Sequence, residues 1–574
     1  MLIVGSGPAG ATTALALATY GVAAHVVSRH NWLADTPRAH ITNQRTMEVL
    51  RDLAVEEEAY RYATPWQLMG DSLFATSLAG DELLRIRAWG TGEARKGDYL
   101  QGSPCELLDI PQPLIEPIIY KNAAERGARF SCNTEYLSHT QDATGVTVAL
   151  RDRLTDREYT LRARFLVGAD GARSKVLDDA GLQVEGQLAR AGTTYVIFNA
   201  DLSRYVAHRP SILHWIVTPD AAFGEIGFGL LRAVKPWTQW IAGWGIDLSK
   251  GEPDLSDDFV LKQIRILVGE PDLEVEIVRT SVWYVNQAHA PRYSTGRVFC
   301  AGDAVHRHPP SSGLGLNTCV QDAFNLAWKL AYVVKGHAGP RLLDTYSDER
   351  APVGRQIVAR ANQSRLDYAP IKAVFRVDGA DNPVEAGIAR FKAPGPEGVK
   401  AREAAQAALE LKNTEFNAQG VEMNQRYVSA AVIPDTRAGE ERWQRDPQLY
   451  LQATTRPGAK IPHAWLVDRR GRKLSTLDVT GKGKFSLVTG IAGQAWVQAA
   501  RALELDFLRI VVSGSDGTFD PYCAWQRVRE THEAGALLVR PDGYIAWRQG
   551  EPVWDAAEAG RQLRDAIDAV LDRR

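Results

Sequence analysis

The first thirty residues alternate apolar and polar blocks in a way that predicts a strand, a helix and a second strand. The apolar run Leu2–Val4 is typical of a buried strand, and residues 9–20 have the alanine- and leucine-rich composition of a helix. Gly21 is a residue type that commonly ends a helix, and residues 25–28 form the next apolar run. This order predicts the start of an open α/β sheet.

Later apolar blocks predict more strands. Residues 165–168 and 298–301 are apolar runs typical of buried strands. Residues 211–217 and 280–286 alternate in character, as strands of a half-buried sheet do. The remaining periodic segments predict helices, at residues 43–53, 317–334, 400–412 and 555–571.

The second half of the chain indicates further domains. Apolar runs on either side of Pro541, Asp542 and Gly543 predict a hairpin at residues 537–548. Residues 372–398 mix glycine, proline and charge, which is typical of a linker or surface excursion. We therefore predict a nucleotide-binding domain in two parts, a β-sheet substrate domain, a helical linker region and a C-terminal domain, at residues 1–180 with 291–360, 181–290, 361–430 and 431–574.

Composition and charge narrow the class of protein. The 574 residues carry a net charge of −2, so no basic surface for nucleic acid is indicated. No apolar run approaches the roughly 18–20 residues that a membrane span needs. The five cysteines include no C-x-x-C pair and no zinc spacing, so we expect reduced thiols, no bound metal and a cytoplasmic protein.

Three glycines follow the first strand in the pattern G-x-G-x-x-G. Gly5 permits a tight turn, Gly7 lets the backbone approach a pyrophosphate, and Gly10 lets the helix pack closely on the strand. NAD, NADP and FAD sites share this pattern. Where a ribose-binding acid is usual, this chain has Ser28, which argues against ordinary NAD binding. We expect Ser28 to bind the ribose, and Arg29 either to lie beside the adenine or to be a solvated charge.

Two later segments supply anchors that a long cofactor needs. One apolar strand leads to an Asp-Gly pair and another leads to a Gly-Asp pair, which places both carboxylates at the ligand-binding edge of the sheet. A glycine-containing loop then opens the next helix, and its N–H groups are expected near a flavin. A second anchor so far along the chain favours FAD. The expected contacts from these segments are Asp170, Gly302, Asp303, Gly313, Gly315 and Asn317.

In order and spacing these segments resemble the single-component flavoprotein aromatic hydroxylases, most strongly over residues 1–350. Residues 37–48 (P-R-A-H-I-T-N-Q-R-T-M-E) and 108–112 (L-D-I-P-Q) are similar to bacterial phenol hydroxylases of the 2,4-dichlorophenol 6-monooxygenase type. The resemblance implies an α/β and α+β chain with a Rossmann-like FAD-binding domain, an interleaved β-sheet substrate domain and a thioredoxin-like C-terminal domain. Without a C-x-x-C pair, that last domain is expected to be structural or to form a homodimer.

The resemblance also implies a reaction. NADPH or NADH reduces the FAD, O2 adds to the flavin, and a C4a-hydroperoxyflavin transfers one oxygen atom next to the hydroxyl of a small phenol, which becomes a catechol. Free phenols titrate near ~10. Activation of the substrate at neutral pH therefore requires a base or a proton relay.

The resemblance places several side chains around the substrate. His40 is expected to contact the phenol oxygen, Asp109 to orient it or relay its proton, and Pro310 to lie against the flavin. The alternative interpretation is that His40 caps the following helix and that Asp109 is a turn residue. Trp215 and Trp283 are candidates for the pocket wall, although most tryptophans in strands belong to the core.

Two pairs of residues are expected to contact the nucleotides. Arg38 precedes the helix that begins near residue 43, and Gln112 resembles a glutamine that contacts the flavin in the family. The chain has no second dinucleotide pattern, so the nicotinamide nucleotide must bind transiently in a surface groove. Arg45 and Arg232 are the candidates for that contact.

Three other functions remain open from the sequence. A flavin halogenase or oxidase on the same fold is disfavoured, because residues 237–240 (W-T-Q-W) lack the Ile-Pro ending of the halogenase motif. A hydroxylase of a larger, polycyclic aromatic substrate would share the three nucleotide segments, but the resemblance at residues 40–48 (H-I-T-N-Q-R-T-M-E) disfavours it. A non-catalytic protein that only holds FAD would share them as well.

Overall fold

The computed structural model describes residues 1–188, 191–222, 227–247, 251–437, 439–515 and 517–573. Its strands, numbered in chain order, are β1 (Leu2–Val4), β2 (His25–Val27), β3 (Ile41–Thr42), β4 (Asp71–Ala75), β5 (Glu82–Arg87), β6 (Leu108–Asp109), β7 (Arg129–Ser131), β8 (Thr134–Gln141), β9 (Val146–Asp152), β10 (Arg157–Ala163), β11 (Leu166–Gly168), β12 (Glu185–Gln187), β13 (Gly192–Asn199), β14 (Leu213–Ile216), β15 (Gly229–Lys235), β16 (Gln239–Ile246), β17 (Glu276–Tyr284), β18 (Gln287–His289), β19 (Ser294–Thr295), β20 (Val298–Cys300), β21 (His306–Arg307), β22 (Trp465–Val467), β23 (Lys473–Ser475), β24 (Phe485–Gly490), β25 (Leu508–Ser513), β26 (Ala536–Val539) and β27 (Ile545–Gln549). Its α-helices are α1 (Pro8–Thr19), α2 (Gln44–Asp52), α3 (Glu56–Tyr62), α4 (Trp66–Met69), α5 (Glu93–Gly102), α6 (Gln112–Glu125), α7 (Lys175–Asp179), α8 (Ser203–Val206), α9 (Asp257–Val268), α10 (Gly315–Val334), α11 (Thr345–Leu366), α12 (Ala369–Val374), α13 (Pro383–Lys392), α14 (Pro396–Glu410), α15 (Asn413–Phe416), α16 (Gln419–Met423), α17 (Thr476–Val479), α18 (Gln494–Ala502), α19 (Ala524–Val528) and α20 (Ala556–Val570).

A six-stranded sheet carries the nucleotide segments, in the order β19-β20-β11-β1-β2-β7. Its strands are parallel except for β19 at one edge. The predicted start is confirmed: β1 leads into α1, which has proline in its first turn, and Gly21 follows with a φ of +72°. Val4, Gly168 and Cys300 lie side by side at the ends of three strands. The segments after those strands therefore meet at one edge of the sheet.

A second, seven-stranded sheet has the order β17-β13-β16-β15-β14-β4-β5. Most of it comes from the segment predicted as the substrate domain. However, β4 and β5 belong to it as well, although the predicted division had assigned them to the first nucleotide-binding part. The correction follows from a long-range contact, because β4 pairs in parallel with β14, which lies more than a hundred residues later. Pairing of this kind leaves no local signal in a sequence.

The region at residues 361–430 is helical and more ordered than its composition predicts. Residues 372–398 include α13, so the linker interpretation is wrong there. Asn382 caps this helix by accepting from the Glu385 N–H, and a proline occupies its first turn. The buried face of α13, which includes Val384 and Phe391, packs beside the substrate sheet. The helix α11 also runs past the predicted boundary at residue 360.

The C-terminal domain contains a four-stranded sheet of order β25-β24-β26-β27. The parallel pair β24 and β25 is followed by the antiparallel hairpin β26–β27, with α18 and α20 packed together. This is the arrangement of a thioredoxin-like domain, and the predicted hairpin is confirmed. Its five-residue turn, Arg540 to Tyr544, points away from its own sheet and into the nucleotide-binding domain, where it contacts Arg45 and Glu349.

Two large apolar cores hold these parts together. One runs from Ile3 in the six-stranded sheet through Trp328 in α10 to Phe485 and Trp496 in the C-terminal domain, so these two domains share a core. The other packs helices against the seven-stranded sheet, around Trp240. None of the helices within the described ranges has the length and apolar character that crossing a membrane requires.

Candidate active site

The turn after β1 has the geometry that its glycines predict. Gly5 has a φ of +105°, and a Cβ there would lie 2.1 Å from the Ala169 carbonyl oxygen. A Cβ at Gly10 would lie 1.9 Å from the Gly5 carbonyl oxygen, so a larger residue would push α1 off the strand. At Gly7, by contrast, a Cβ would meet no described atom within 4 Å. Gly7 therefore faces open space at the start of α1, where a pyrophosphate would lie.

Two carboxylates follow neighbouring strands at the same edge, but they are held differently. The Asp170 oxygens accept from the Ser174 hydroxyl at 2.5 Å and from the Val176 N–H at 3.2 Å, so this side chain supports the start of α7. Burial raises the pKa of Asp170. Asp303 is exposed at the mouth of the turn that follows β20. Its Oδ1 has a long contact, of 3.8 Å, to the Cys319 thiol, so Asp303 is the one of the two with more capacity to accept from a ribityl hydroxyl.

The loop between Asp303 and α10 is shaped by close contacts. Gly302 and Gly313 have φ values of +67° and +61°, and a Cβ would press on Cys319 Sγ at 2.9 Å and on Ile41 Cβ at 2.9 Å, respectively. The Asn317 side chain donates to the Ile41 and Gly313 carbonyls and accepts from the Asn43 N–H. Asn317 thus fastens the loop to residues 41–43, which leaves the backbone of Gly315, at the start of α10, as the closer candidate for a flavin contact.

The predicted adenosine side of the site is open at the surface. Ser28 is buried and accepts from the His30 N–H at 3.3 Å, and among the described residues its hydroxyl proton has no acceptor. Arg29 and Arg38 are exposed. The Gln112 amide donates to Glu116, a buried carboxylate that the sequence did not single out and whose pKa burial raises. Pro310 is exposed in the loop before α10.

These segments together fit FAD. Open space at Gly7, an exposed carboxylate at Asp303 and exposed basic residues beyond β2 follow one edge of the sheet. A long dinucleotide would run along that edge, and the predicted contacts of the individual residues stay predictions.

His40, Asp109 and Arg232 meet beyond the flavin loop. The short strands β3 and β6 pair with Ile41 opposite Asp109, which brings His40 beside that carboxylate at 3.6 Å from Nδ1 to Oδ1. Arg232 reaches across from β15, and its Nη2 donates to Asp109 Oδ1 at 2.7 Å. The alternative interpretations are wrong, because Asn43 caps α2 and Asp109 lies in a strand.

Several polar atoms of this cluster are buried without a well-formed hydrogen bond among the described residues, although His40 lies near the Asp109 carboxylate and the Pro37 backbone. They are both ring nitrogens of His40, Asp109 Oδ2 and Arg232 Nε, none of which finds a well-formed hydrogen bond within the described part of the chain. Burial and the charge of Arg232 hold the pKa of His40 well below its ordinary value. Burial raises the pKa of Asp109, although Arg232 opposes this. His40 is therefore neutral at pH 7 and able to accept a proton.

The face of the substrate sheet that carries Arg232 also carries both candidate tryptophans. Strand register places Trp215 and Trp283 on that face. Trp215 is buried, with its ring centroid 4.6 Å from that of Tyr368, whereas Trp283 is half-buried. Tyr195 shares the face, and alternation along β13 would have identified it. Tyr368 comes from the helical region, and no local sequence signal points to it.

Arg45 and Arg232, the two residues predicted to contact the nicotinamide nucleotide, lie in different environments. Arg232 belongs to the polar cluster just described. Arg45 is buried, its guanidinium donating to Glu48 at 3.1 Å and to the Asp542 carbonyl at 2.8 Å, over the ring of Tyr544. The C-terminal domain thus covers Arg45, and this geometry argues against the predicted nicotinamide contact there.

An open α/β sheet with a dinucleotide turn, two later anchors and a polar cluster beside the flavin loop defines a FAD-binding protein. The sequence pattern of the FAD binding domain family matches residues 1–361, and that of the aromatic-ring hydroxylase C-terminal domain matches residues 454–573. The chain therefore belongs to the FAD-dependent aromatic-ring hydroxylases, and it is a flavoprotein monooxygenase.

Individual relatives agree with this assignment. The chain is 48% identical to 2,4-dichlorophenol 6-monooxygenase of Delftia acidovorans, over 100% of this chain and 98% of that protein. It is 46% identical to phenol 2-monooxygenase of Pseudomonas sp. (strain EST1001), over 97% and 91% of the two chains. The structure of the flavin-dependent monooxygenase PieE in complex with FAD and substrate matches with a TM-score of 0.94 at 43% identity, covering 100% of this chain and 99% of that one. Fold class, enzyme class and FAD as cofactor are thereby confirmed.

Proposed function

We propose that this chain hydroxylates a small phenol at the ring position next to its hydroxyl group, with FAD as cofactor. One oxygen atom of O2 enters the ring to give a catechol, the other leaves as water, and NADPH or NADH supplies two electrons. The observation that carries the proposal is the buried cluster of His40, Asp109 and Arg232, whose incompletely hydrogen-bonded polar atoms match a phenol oxygen. The relatives named dichlorophenol and phenol monooxygenases support it, with matches over 98% and 91% of their lengths.

FAD, when bound, supplies the redox and oxygen chemistry, and the chain must place and activate the phenol. Neutral His40 accepts a hydrogen bond from the phenol hydroxyl and takes its proton as the ring is attacked. The positive guanidinium of Arg232 lies beside the same space and favours the phenolate, which is the electron-rich form. Asp109 holds Arg232 in position at 2.7 Å.

The aromatic face of the substrate sheet would orient the ring. Trp215 and Tyr368 pack together on that face, and Trp283 lies on it closer to the sheet edge. Aromatic contacts of this kind add about 0.5–1.5 kcal/mol beyond the burial of area. These contacts suit a planar ring. The preference among substituted phenols depends on the exact shape of the pocket.

Three finer features belong to the same proposal. Arg232 contacts the nicotinamide nucleotide during flavin reduction, in addition to its place beside the phenol. The protein is a homodimer, which the thioredoxin-like C-terminal domain without a C-x-x-C pair supports. It works in the cytoplasm, in keeping with five free cysteines among the described residues.

The test is substrate-stimulated oxidation of NADPH and NADH by the purified yellow protein. Phenol, 2,4-dichlorophenol and 2-phenylphenol are supplied in turn, and catechol and hydrogen peroxide are quantified, with 18O2 to trace the oxygen. Catechol containing one 18O atom supports the proposal and ranks the phenols. Peroxide without catechol, or no stimulation by any phenol, contradicts it and favours a larger aromatic substrate.

A further inference from the structure

The turn of the last hairpin, Arg540 to Tyr544, inserts into the nucleotide-binding domain as a charged element in which every residue except the half-buried Gly543 is buried. Arg540 is 0% exposed and binds both oxygens of Glu349, at 2.6 and 2.8 Å, as well as Asp542. Lys329, on α10, pairs with the same glutamate at 2.8 Å. The residues around this turn belong to the core of an enzyme whose C-terminal domain carries no redox pair. These buried charges therefore indicate a role for the C-terminal domain other than redox chemistry.

A series of hydrogen bonds begins at residues 302–306, the turn after β20 that presents Asp303. Asp322, on α10, is 0% exposed, and its Oδ2 accepts from the Gly302 N–H at 3.1 Å and from His306 Nε2 at 2.9 Å. Gly302 and His306 lie on either side of Asp303, the exposed carboxylate at the edge of the sheet where FAD would lie. The other oxygen of Asp322 accepts from Arg350 Nε at 2.7 Å. One buried carboxylate therefore fixes both ends of the turn that presents Asp303.

The series continues from Arg350 to the C-terminal domain. Arg350 is 0% exposed, and its Nη1 donates to Gln425 Oε1 and to the Tyr427 hydroxyl, each at 3.0 Å. The Tyr544 hydroxyl, in the hairpin turn, donates to the same oxygen of Gln425 at 3.0 Å. The rings of Tyr427 and Tyr544 are stacked with centroids 4.1 Å apart. The path from the hairpin turn to the Gly302 N–H thus consists of buried polar contacts throughout.

Such a path has consequences for the turn at residues 302–306. A carboxylate out of water holds its geometry only while a cation and hydrogen-bond donors surround it. Arg350 is that cation for Asp322, and the oxygens of Gln425 and Tyr427 fix where its guanidinium lies. A shift of the hairpin turn would move Arg350, then Asp322, then the backbone at Gly302.

We propose that the C-terminal domain positions the FAD-binding turn at residues 302–306 through Tyr544, Gln425, Tyr427, Arg350 and Asp322. Arg350 and Asp322 are positioning residues, since they act through the backbone of Gly302. The role is separate from phenol activation, and it concerns the affinity for FAD in the absence of any substrate.

The interface offers a matched control. Tyr332, on α10, is as buried as Tyr427, and its hydroxyl also makes a polar contact, to the Gly483 carbonyl of the C-terminal domain at 3.2 Å. That contact joins the two domains but involves neither Asp322 nor the turn at residues 302–306. Tyr427→Phe and Tyr332→Phe each remove one buried hydroxyl next to the C-terminal domain, the first stacked on Tyr544 and the second beside Gly483.

The experiment titrates the apoprotein of each variant with FAD, without substrate, and follows flavin fluorescence. Hydrogen exchange of the peptide that contains residues 299–307 is measured in the same apoproteins. We expect Tyr427→Phe to raise the Kd of FAD about tenfold and to speed exchange of the Gly302 amide, because a hydrogen bond to a buried charge is lost. Tyr332→Phe is expected to leave both within twofold of the unchanged chain.

A second variant keeps the test decisive if Tyr427→Phe is poorly folded. Tyr544→Phe removes the more distant hydroxyl, and we expect a smaller change of the same sign, about threefold in the Kd. Equal weakening by Tyr332→Phe would overturn the proposal, because the effect would then be general destabilisation. The proposal would also be overturned if Tyr427→Phe and Tyr544→Phe both kept a Kd for FAD within twofold of that of the unchanged chain. Neither result bears on phenol hydroxylation, which the assay does not measure.

Discussion

At the scale of single residues, burial and the charge of Arg232 together set the protonation states around the substrate. Its guanidinium pairs with Asp109 at 2.7 Å, and burial together with this positive charge lowers the imidazole pKa of His40. A neutral histidine beside a cation accepts a proton weakly by itself. The same cation, however, lowers the cost of the phenolate that forms, so the pair can work together at neutral pH.

Replacing Arg232 is therefore expected to change the pH profile as well as the rate. His40 accepts a proton only when neutral, so activity is lost as pH falls through its pKa. Burial and Arg232 hold that pKa well below 6.5, so Arg232→Met raises it and moves the acidic limb of kcat/KM to higher pH. At pH 7.5 we expect catechol formation to fall about 10–100-fold. Lys235→Met, exposed on the same strand, is the control. An acidic limb that stays in place in Arg232→Met would contradict this assignment of His40.

The role of His40 as a proton acceptor can be tested with phenols of different acidity. If it takes the phenol proton, His40→Gln costs most with phenol and least with phenols that ionise more readily. We expect catechol formation from phenol to fall about 100-fold, with a smaller loss for 2,4-dichlorophenol, and rapid oxidation of NADPH to continue with release of peroxide. Stopped-flow flavin reduction and product analysis measure the two halves separately. A loss that is the same for all phenols would mean that His40 holds the ring and moves no proton.

At the scale of elements, two glycines in the turn after β1 have different roles, one in folding and the other in cofactor binding. Gly10 is pressed against the Gly5 carbonyl, whereas Gly7 has an ordinary φ of −68° and faces open space. Two glycines of one motif therefore have different reasons to be glycine. Only the one at the open side has a reason that concerns a ligand.

We expect Gly7→Ala and Gly10→Ala to fail in different assays. The Gly7→Ala apoprotein should keep its Tm within about 1 °C, since the new Cβ meets no described atom, while its Kd for FAD rises at least tenfold. Gly10→Ala should lower the Tm of the apoprotein or prevent folding, because its Cβ falls 1.9 Å from an oxygen. Thermal melts and flavin titrations of both apoproteins distinguish these effects. Normal FAD affinity in Gly7→Ala would remove this turn from the cofactor site.

Elements with local signals are the ones that the sequence predicts well. The helix α1 falls within a residue of its predicted bounds because proline, periodic alanine and leucine, and Gly21 all act locally. The position of β4 beside β14 depends on a contact between distant segments, and so does the bond from Arg232 to Asp109. His40 and Asp109 were predicted from resemblance. Their shared cation was assigned to the nicotinamide nucleotide alone, because no pattern in the chain shows that β15 faces β6.

At the scale of the whole molecule, the nucleotide-binding and C-terminal domains are one folding unit. Trp328 and Tyr332 on α10 pack edge-on against Phe485 of the C-terminal sheet, with ring centroids 5.7 and 5.6 Å apart. Glu349 and Arg540 join the same domains through a fully buried ion pair. A domain with that much shared core cannot unfold while its neighbour stays native, since it would expose the neighbour's apolar side chains to water.

Thermal unfolding should accordingly be a single transition in which FAD release and loss of both domains coincide. Phe485→Ala removes a 1%-exposed ring from the shared core and is expected to cost about 3–5 kcal/mol, lowering the Tm of the entire chain. Leu466→Ala, in the separate apolar cluster of the C-terminal domain, is the comparison. If the domains are one unit, it too moves a single transition, seen alike by flavin fluorescence, tryptophan fluorescence and calorimetry. A calorimetric trace with two peaks, of which only one moves in Leu466→Ala, would show that the C-terminal domain unfolds by itself.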